Sequence, residues 1–245
     1  MLELNKIYCM DCLEGMKQIP DNTIDLIVTS PPYNNFRNRR TQAGREDYWK
    51  RTNIIYDCFS DKMTDEDYAE WQIKCINEMV RIIKPTGTIA YNHKDRIFNF
   101  EVLSPLTWIL KTNAKYRQRI TWDRCGMQAY NPVRFYRCEE DIYIFGKGKD
   151  FKWNKEAARY MSIWKIPPTV NKDFPCSFPE EIPKRCIEAF TDNGDIVLDP
   201  FSGSGTTAVV SLQLGRKYIG FEISQEYVDI TNERIKNETS QLSLF

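Results

Sequence analysis

Short runs of mostly apolar residues alternate along this chain with longer stretches in which apolar residues recur every three or four positions. "TIDLIVT" (23–29), "GTIAYNH" (87–93), "RQRITWD" (117–123), "EDIYIFGKG" (140–148), "DIVLD" (195–199) and "KYIGFEI" (217–223) read as strands. "DEDYAEWQIKCINEMVRIIK" (65–84) reads as a helix with Tyr68, Trp71, Ile76, Met79, Val80 and Ile83 on one stripe, Thr64 as N-cap and Asp67 at its third position. "FEVLSPLTWILKT" (100–112) predicts a second helix despite Pro105. "FPEEIPKRCIEAF" (178–190), "TTAVVSLQLG" (206–215) and "QEYVDITNERIKN" (225–237) predict three more. This alternation indicates an α/β fold, a doubly wound, mainly parallel sheet covered on both faces. The stretch 126–170 is rich in Tyr, Arg, Trp and Pro and breaks the alternation. It reads as an insertion on a single domain built from residues 1–125 and 171–245.

Two places along this pattern carry chemistry. "TSPPYNN" (29–35) ends the first long strand, and its prolines fix φ and lack N–H groups, so they stop the strand and stiffen the turn after it. A proline pair alone is a strand stop. A rigid turn beyond a strand's carboxyl end is also where open α/β sheets hold ligands. The stronger signal is "DIVLDPFSGSGTT" (195–207), a strand ending in Asp199 and a Gly- and Ser-rich turn that feeds a helix near Thr206. Gly203 and Gly205 allow positive φ and close backbone approach. The next strand ends at Glu222, 17 residues beyond Gly205, where a carboxylate can accept hydrogen bonds from ribose hydroxyls. Together these features describe a nucleoside-cofactor site. The turn lacks G-x-G-x-x-G and the P-loop lysine, which argues against NAD and ATP.

Composition narrows the remaining classes. No stretch of about 18 apolar residues is present, and the first twenty residues lack a signal-peptide layout, so a cytoplasmic protein that spans no membrane is expected. Eight cysteines and a single histidine, His93, support neither a zinc site nor a His-based triad; Cys9 and Cys12 form a lone C-x-x-C. No metal is expected. Net charge is zero, so nothing global points to nucleic acid, but the distribution is uneven. Residues 36–51 hold six basic against two acidic residues, with Phe36, Tyr48 and Trp49 among them; residues 111–124 hold five against one. Such runs are often only solvated faces, yet arginines mixed with aromatic rings suit phosphates and unstacked bases.

On "SPPY" followed by "DPFSGSGTT", the chain resembles the β class of DNA amino-methyltransferases, which use S-adenosylmethionine. In that class [DNS]-P-P-[YFW] is catalytic, D-P-F-x-G-S-G-T holds the cofactor, and this permuted order is the mark of the class. "MDCLEGM" near the N-terminus and "FPEEIP" resemble its accessory motifs, and the likeness covers nearly the whole chain. It implies a Rossmann-like, circularly permuted methyltransferase fold with a target-recognition insertion at 126–170. It implies that Phe201, Gly203, Ser204 and Gly205 line the methionine moiety, with Asp199 at the base of the turn, and that Thr206 also belongs to the cofactor site. Glu222 would hold the ribose, Asp11 and Cys12 would lie near the adenine, and Ser177 and Phe178 near the methionine carboxylate. The bland alternatives are an ordinary turn residue for Asp11 and a helix N-cap for Ser177. Arg37, Arg39, Arg40, Arg45, Arg134 and Arg137 would contact double-stranded DNA. A homodimer and a cognate restriction endonuclease are the further partners that the likeness suggests.

The catalytic residues implied are Ser30, Pro31, Pro32 and Tyr33. An exocyclic amino nitrogen is a poor nucleophile because its lone pair is delocalised into the ring. The Ser30 hydroxyl and the Pro31 carbonyl can accept its two N–H bonds, and Tyr33 can stack on the base. A base inside a duplex cannot reach such a pocket, so base flipping is implied. Ser at the first motif position is commoner for cytosine N4 in the resembled class, Asp or Asn for adenine N6. Adenine N6 stays open, as does a protein glutamine or RNA methyltransferase with a similar "PPY" turn. Residues 9–12 are expected beside Glu222, and residues 36–51 are expected to be mobile until DNA binds.

Overall fold

In a computed structural model of the chain, residues 2–34, 63–98, 101–126, 135, 137–169 and 178–242 are described. Among them, eight strands form one sheet: β1 (Lys6–Cys9), β2 (Ile24–Thr29), β3 (Ile83–His93), β6 (Lys115–Asp123), β7 (Glu139–Gly146), β8 (Ile163–Lys165), β9 (Ile196–Asp199) and β10 (Lys217–Glu222). Their order across the sheet is β1-β10-β9-β2-β3-β7-β6-β8. Strand β7 alone runs against its neighbours β3 and β6; the other five pairings are parallel.

Strands buried on both faces explain the near-continuous apolar runs. Along β7, Ile142 and Ile144 enter one core cluster while Tyr143 and Phe145 enter the other, the period-two signature of a sheet covered on both sides. One face packs against α1 (Cys12–Lys17), α2 (Asp65–Ile82) and α3 (Leu106–Ile109). The other packs against α4 (Glu181–Phe190), α5 (Thr206–Gln213) and α6 (Gln225–Leu242). Helix α2 begins where its sequence says: Thr64 Oγ1 accepts from the Asp67 N–H at 3.0 Å. It ends one residue before the last position of the predicted stripe, because Ile83 is already extended and opens β3.

The stretch 100–112 is not one helix. Glu101–Leu103 is β5, paired antiparallel with β4 (Arg96–Phe98), and only Leu106–Ile109 is helical. Pro105 decides this: it disfavours helical backbone at Ser104 and can only start a helix, as it does here at the N-cap. Part of the stretch 126–170 belongs to the sheet itself, since β7 lies between β3 and β6 and β8 pairs with β6. The strand read at 140–148 is β7, the one strand of the large sheet that runs against its neighbours. The strand–helix alternation breaks after it because only a short 3₁₀ turn at Lys155–Arg159 and a three-residue edge strand follow.

The permuted arrangement places the first strand beside the last. Strands β1 and β10 pair in parallel with Cys9 opposite Glu222, and the Met10 N–H donates to the Glu222 carbonyl at 2.9 Å. Residues 9–12 therefore lie beside Glu222.

Candidate active site

Strands β9 and β2 are neighbours, yet the chain leaves them in opposite directions. From β9 it passes through α5 to β10 on one side; from β2 it passes through α2 to β3 on the other, and the two helices cover opposite faces. A crevice opens beyond the carboxyl ends of two such strands, and there open α/β sheets bind ligands. Both sequence motifs lie on its two walls.

The β9 wall is the Gly-rich turn. Asp199 is buried at the end of its strand, and its oxygens accept from Thr29 Oγ1 (2.7 Å), the Phe201 N–H (3.1 Å) and Thr207 Oγ1 (2.9 Å). Burial pushes its carboxyl up to about 6, against the pull of those three donors. Gly205 adopts φ +69 as N-cap of α5, and a side-chain carbon there would collide with Thr231 Cγ2 at 2.3 Å. Gly203, at φ +47, faces open space: a side-chain carbon would meet only Phe201 O, 3.9 Å away. Glu222 Oε1 accepts from the Ile223 and Ser224 N–H groups and Oε2 from that of Gly203. A carboxylate offers about four lone-pair sites, so Oε2 keeps one for a ligand hydroxyl. Burial raises the Glu222 carboxyl too. Phe201 meets Trp71 edge-on at 5.6 Å, while Ser204 and Thr206 are buried with their hydroxyls 3.0 Å apart. The open face at Gly203 and the spare carboxylate lone pair fit a nucleoside cofactor.

The β2 wall is the proline turn. Ser30 Oγ lies 2.8 Å from Tyr33 Oη, which donates to Glu140 Oε2 at 3.0 Å. Asn92 Nδ2 donates to Tyr33 Oη (2.8 Å) and to Glu140 Oε2 (3.0 Å), and Glu140 Oε1 accepts from Arg124 at 3.0 Å. Burial and the nearby Glu140 charge hold the Tyr33 phenol well above its usual range, so it stays protonated. The Tyr33 ring lies 4.5 Å from that of His93. Behind the turn, Tyr68 Oη is 2.7 Å from the Pro32 carbonyl and 2.8 Å from His93 Nε2, and it accepts from Gln72 Nε2. His93 Nδ1 lies 2.7 Å from the Lys94 carbonyl, so that nitrogen carries the ring proton. Burial lowers His93 to about 3 and keeps it neutral.

The crevice thus brings together Ser30, Tyr33, Asp199, Gly203 and Glu222. Asp11 lies beside it as N-cap of α1, accepting from the Leu13 and Glu14 N–H groups. The Cys12 side chain is buried 3.9 Å from Cys75 Sγ. Phe178 packs against the α4 face of the sheet. Arg137 is engaged within the chain, with Asp95 at 3.3 Å and Glu139 at 2.7 Å. Ser177, Arg37, Arg39, Arg40, Arg45, Arg134 and the whole of 36–51 lie outside the described residues. Sequence reasoning passed over Glu140, Asn92, Tyr68 and Gln72. A carboxylate inside the apolar run "EEDIYIFG" was the available signal for Glu140. Among the described residues no group of three or more His, Cys, Asp or Glu side chains could hold a metal ion, and no helix is long and apolar enough to cross a membrane.

Comparison with known proteins agrees with this geometry. A family model described as DNA methylase, for N6 and N4 methyltransferases, matches residues 24–233. The type II methyltransferase M.BglII of Bacillus subtilis is 29% identical over 282 aligned positions, which cover 99% of this chain and 72% of that protein. The DNA modification methylase TTHA0409 of Thermus thermophilus, solved in complex with S-adenosyl-L-methionine, superposes with a TM-score of 0.70 at 24% identity over 95% of each chain. The cytosine-N4-specific PvuII DNA methyltransferase superposes with a TM-score of 0.73 at 18% identity, over 96% of this chain and 91% of that one.

Proposed function

The chain belongs to the N6/N4 DNA methylase family, and we propose that it methylates cytosine N4 in double-stranded DNA, with S-adenosylmethionine as methyl donor. That cofactor supplies an electrophilic methyl group on a sulfonium. Glu222 would hold its ribose hydroxyls through the spare lone pair on Oε2, and the open backbone at Gly203 would receive the methionine part. The work of the chain is to position and polarise the nucleophile. Ser30 Oγ and the Pro31 carbonyl accept the two amino N–H bonds, which favours a tetrahedral nitrogen with its lone pair directed at the methyl group. Thr29 and Asp199 join the two walls, so the acceptors and the cofactor turn keep a fixed separation.

The observation that carries this reading is a serine, held by Tyr33, at the end of β2 and across the crevice from the Gly-rich turn. A neutral hydroxyl suits an amino group beside a ring nitrogen without placing a second charge in the pocket. The same acceptors would serve adenine N6, and the arginines of 36–51 would meet the phosphates flanking a flipped base. Incubating DNA with the protein and S-adenosylmethionine, then analysing the nucleosides by mass spectrometry, separates these readings. N4-methyldeoxycytidine is the expected product. N6-methyldeoxyadenosine would overturn the cytosine assignment, and methylation of RNA or protein alone would overturn the DNA substrate.

A further inference from the structure

We infer that Glu140 sets the direction of the Ser30–Tyr33 hydrogen bond and so makes Ser30 an acceptor toward the substrate. This deepens the methyl-transfer reading and rests on it. The Tyr33 hydroxyl has one proton and three polar neighbours. Glu140 Oε2, 3.0 Å away, belongs to a carboxylate and can only accept. Asn92 Nδ2, 2.8 Å away, can only donate. Ser30 Oγ, 2.8 Å away, can do either. The Tyr33 proton goes to Glu140, Asn92 occupies one lone pair on the phenol oxygen, and the other is left for the Ser30 proton. Ser30 therefore donates inward; one of its lone pairs faces Asn92 Nδ2 at 3.4 Å and the other is presented outward.

That direction matters because a free serine hydroxyl rotates. Turned the other way, it would meet an amino N–H with its own proton, and the contact would repel. Three further observations fix the carboxylate in its role. Its second oxygen is committed to Arg124 at 3.0 Å, so the charge is paired and the group cannot swing. Asn92 ties Oε2 to Tyr33 from a second side. Glu140 is 7% exposed, so water does not compete for these bonds. Glu140 sits two hydrogen bonds from Ser30 and three from the substrate nitrogen, and is a positioning residue.

The test compares wild type, E140Q, Y33F, the double variant and E140D in methylation of DNA from labelled S-adenosylmethionine. In E140Q, Arg124 holds the amide oxygen and turns the –NH2 toward Tyr33 and toward Asn92 Nδ2, which loses its acceptor there. The phenol then accepts from the glutamine and gives its proton to Ser30, reversing the chain. We expect kcat to fall about a hundredfold, with KM for DNA and Kd for the cofactor within about twofold of wild type. Y33F should lose a similar factor, because Ser30 then has no inward acceptor. The double variant should be no slower than the slower single one, since Glu140 acts through Tyr33. E140D, which keeps an acceptor-only carboxylate, should recover part of the rate. Should E140Q melt early, Y33F carries the test by the same split between kcat and Kd. A kcat for E140Q or Y33F within about threefold of wild type, or losses that multiply in the double variant, overturns the inference. Wild-type protein that binds the cofactor but methylates no DNA overturns the parent reading instead, and this one with it.

Discussion

Thr29 Oγ1 donates a 2.7 Å hydrogen bond to Asp199 Oδ1, joining the last residue of β2 to the last residue of β9 across 170 positions of sequence. Asp199 also takes the Phe201 N–H and the Thr207 hydroxyl, so one carboxylate ties the proline turn, the Gly-rich turn and α5 together. Thr29 is fully buried. Thr29→Val keeps its shape and removes one donor, leaving a buried carboxylate less satisfied at a cost of about 1–3 kcal/mol. Burial raises the Asp199 carboxyl to about 6 from 3.8, so its contribution to stability is greatest below pH 3.8 and is lost as pH rises through about 6. Without the Thr29 donor the charged form costs more. Urea denaturation should show a deficit at pH 7.5 that shrinks toward pH 4.5, and a deficit independent of pH would show that Asp199 is not the partner that matters.

Much of this arrangement was legible in the residues. The run "TIDLIVT" and the β9–turn–α5–β10 unit lie where the apolar pattern puts them, because strands buried on both faces and a Gly-rich turn leave strong local signals. Pairing leaves none. That β7 runs antiparallel between β3 and β6, bringing Glu140 to Tyr33, depends on contacts over 107 positions that no local period encodes. Asn92 was hidden likewise: it is the penultimate residue of an apolar strand, and only the register of β3 beside β2 gives it a role. The stretch 100–112 misled because its helical composition outweighed Pro105, whose ring forbids the helix to start earlier.

The single histidine gives a pH signature that can be read directly. His93 is buried, lies against Tyr91 and Tyr33, and burial lowers its pKa to about 3 from 6.5. A depressed histidine contributes stability that is present above pH 6.5 and lost as pH falls toward 3, at about 1.4 kcal/mol per unit while only the unfolded chain takes up the proton. Asp199 acts in the opposite sense between about 6 and 3.8, as does the raised Glu222 carboxyl, so the wild-type curve there mixes opposed contributions. His93→Gln removes only the histidine contribution. Its stability relative to wild type should improve on going from pH 7 to pH 5. In the folded wild type, the lone imidazole resonance should not titrate above about pH 4; a midpoint near 6.5 would refute the buried neutral ring.

Two glycines of one turn should fail in different ways. Gly205→Ala places a carbon 2.3 Å from Thr231 Cγ2 and forces φ +69 on a residue with a side chain. Strain at such a backbone is about 1–3 kcal/mol before the clash is counted, so this variant should melt well below wild type. Gly203→Ala carries similar strain at φ +47 but meets no neighbour closer than 3.9 Å. Its added methyl points into the space assigned to the cofactor. Calorimetry should therefore show weaker S-adenosylmethionine binding, about tenfold or more, with a smaller fall in melting temperature. Unchanged affinity in Gly203→Ala would place the cofactor elsewhere.

The proline turn and the cofactor turn share Asp199 but do separate work, and Ser30→Ala tests that division. The substitution removes the hydroxyl that meets the amino group and leaves the Thr29 bond, Glu222 and Gly203 untouched. Losing one preorganised hydrogen bond in a transition state costs roughly 3 kcal/mol, or about a hundredfold in rate. Tyr33 keeps Glu140 and Asn92 as partners, so the pocket should hold its shape and the melting temperature should change little. Single-turnover methylation at saturating cofactor should fall by about that factor, while calorimetry returns the wild-type cofactor Kd. The opposite result, a weakened Kd with the single-turnover rate intact, would make Ser30 part of the cofactor wall and leave Pro31 and Pro32 as a strand stop.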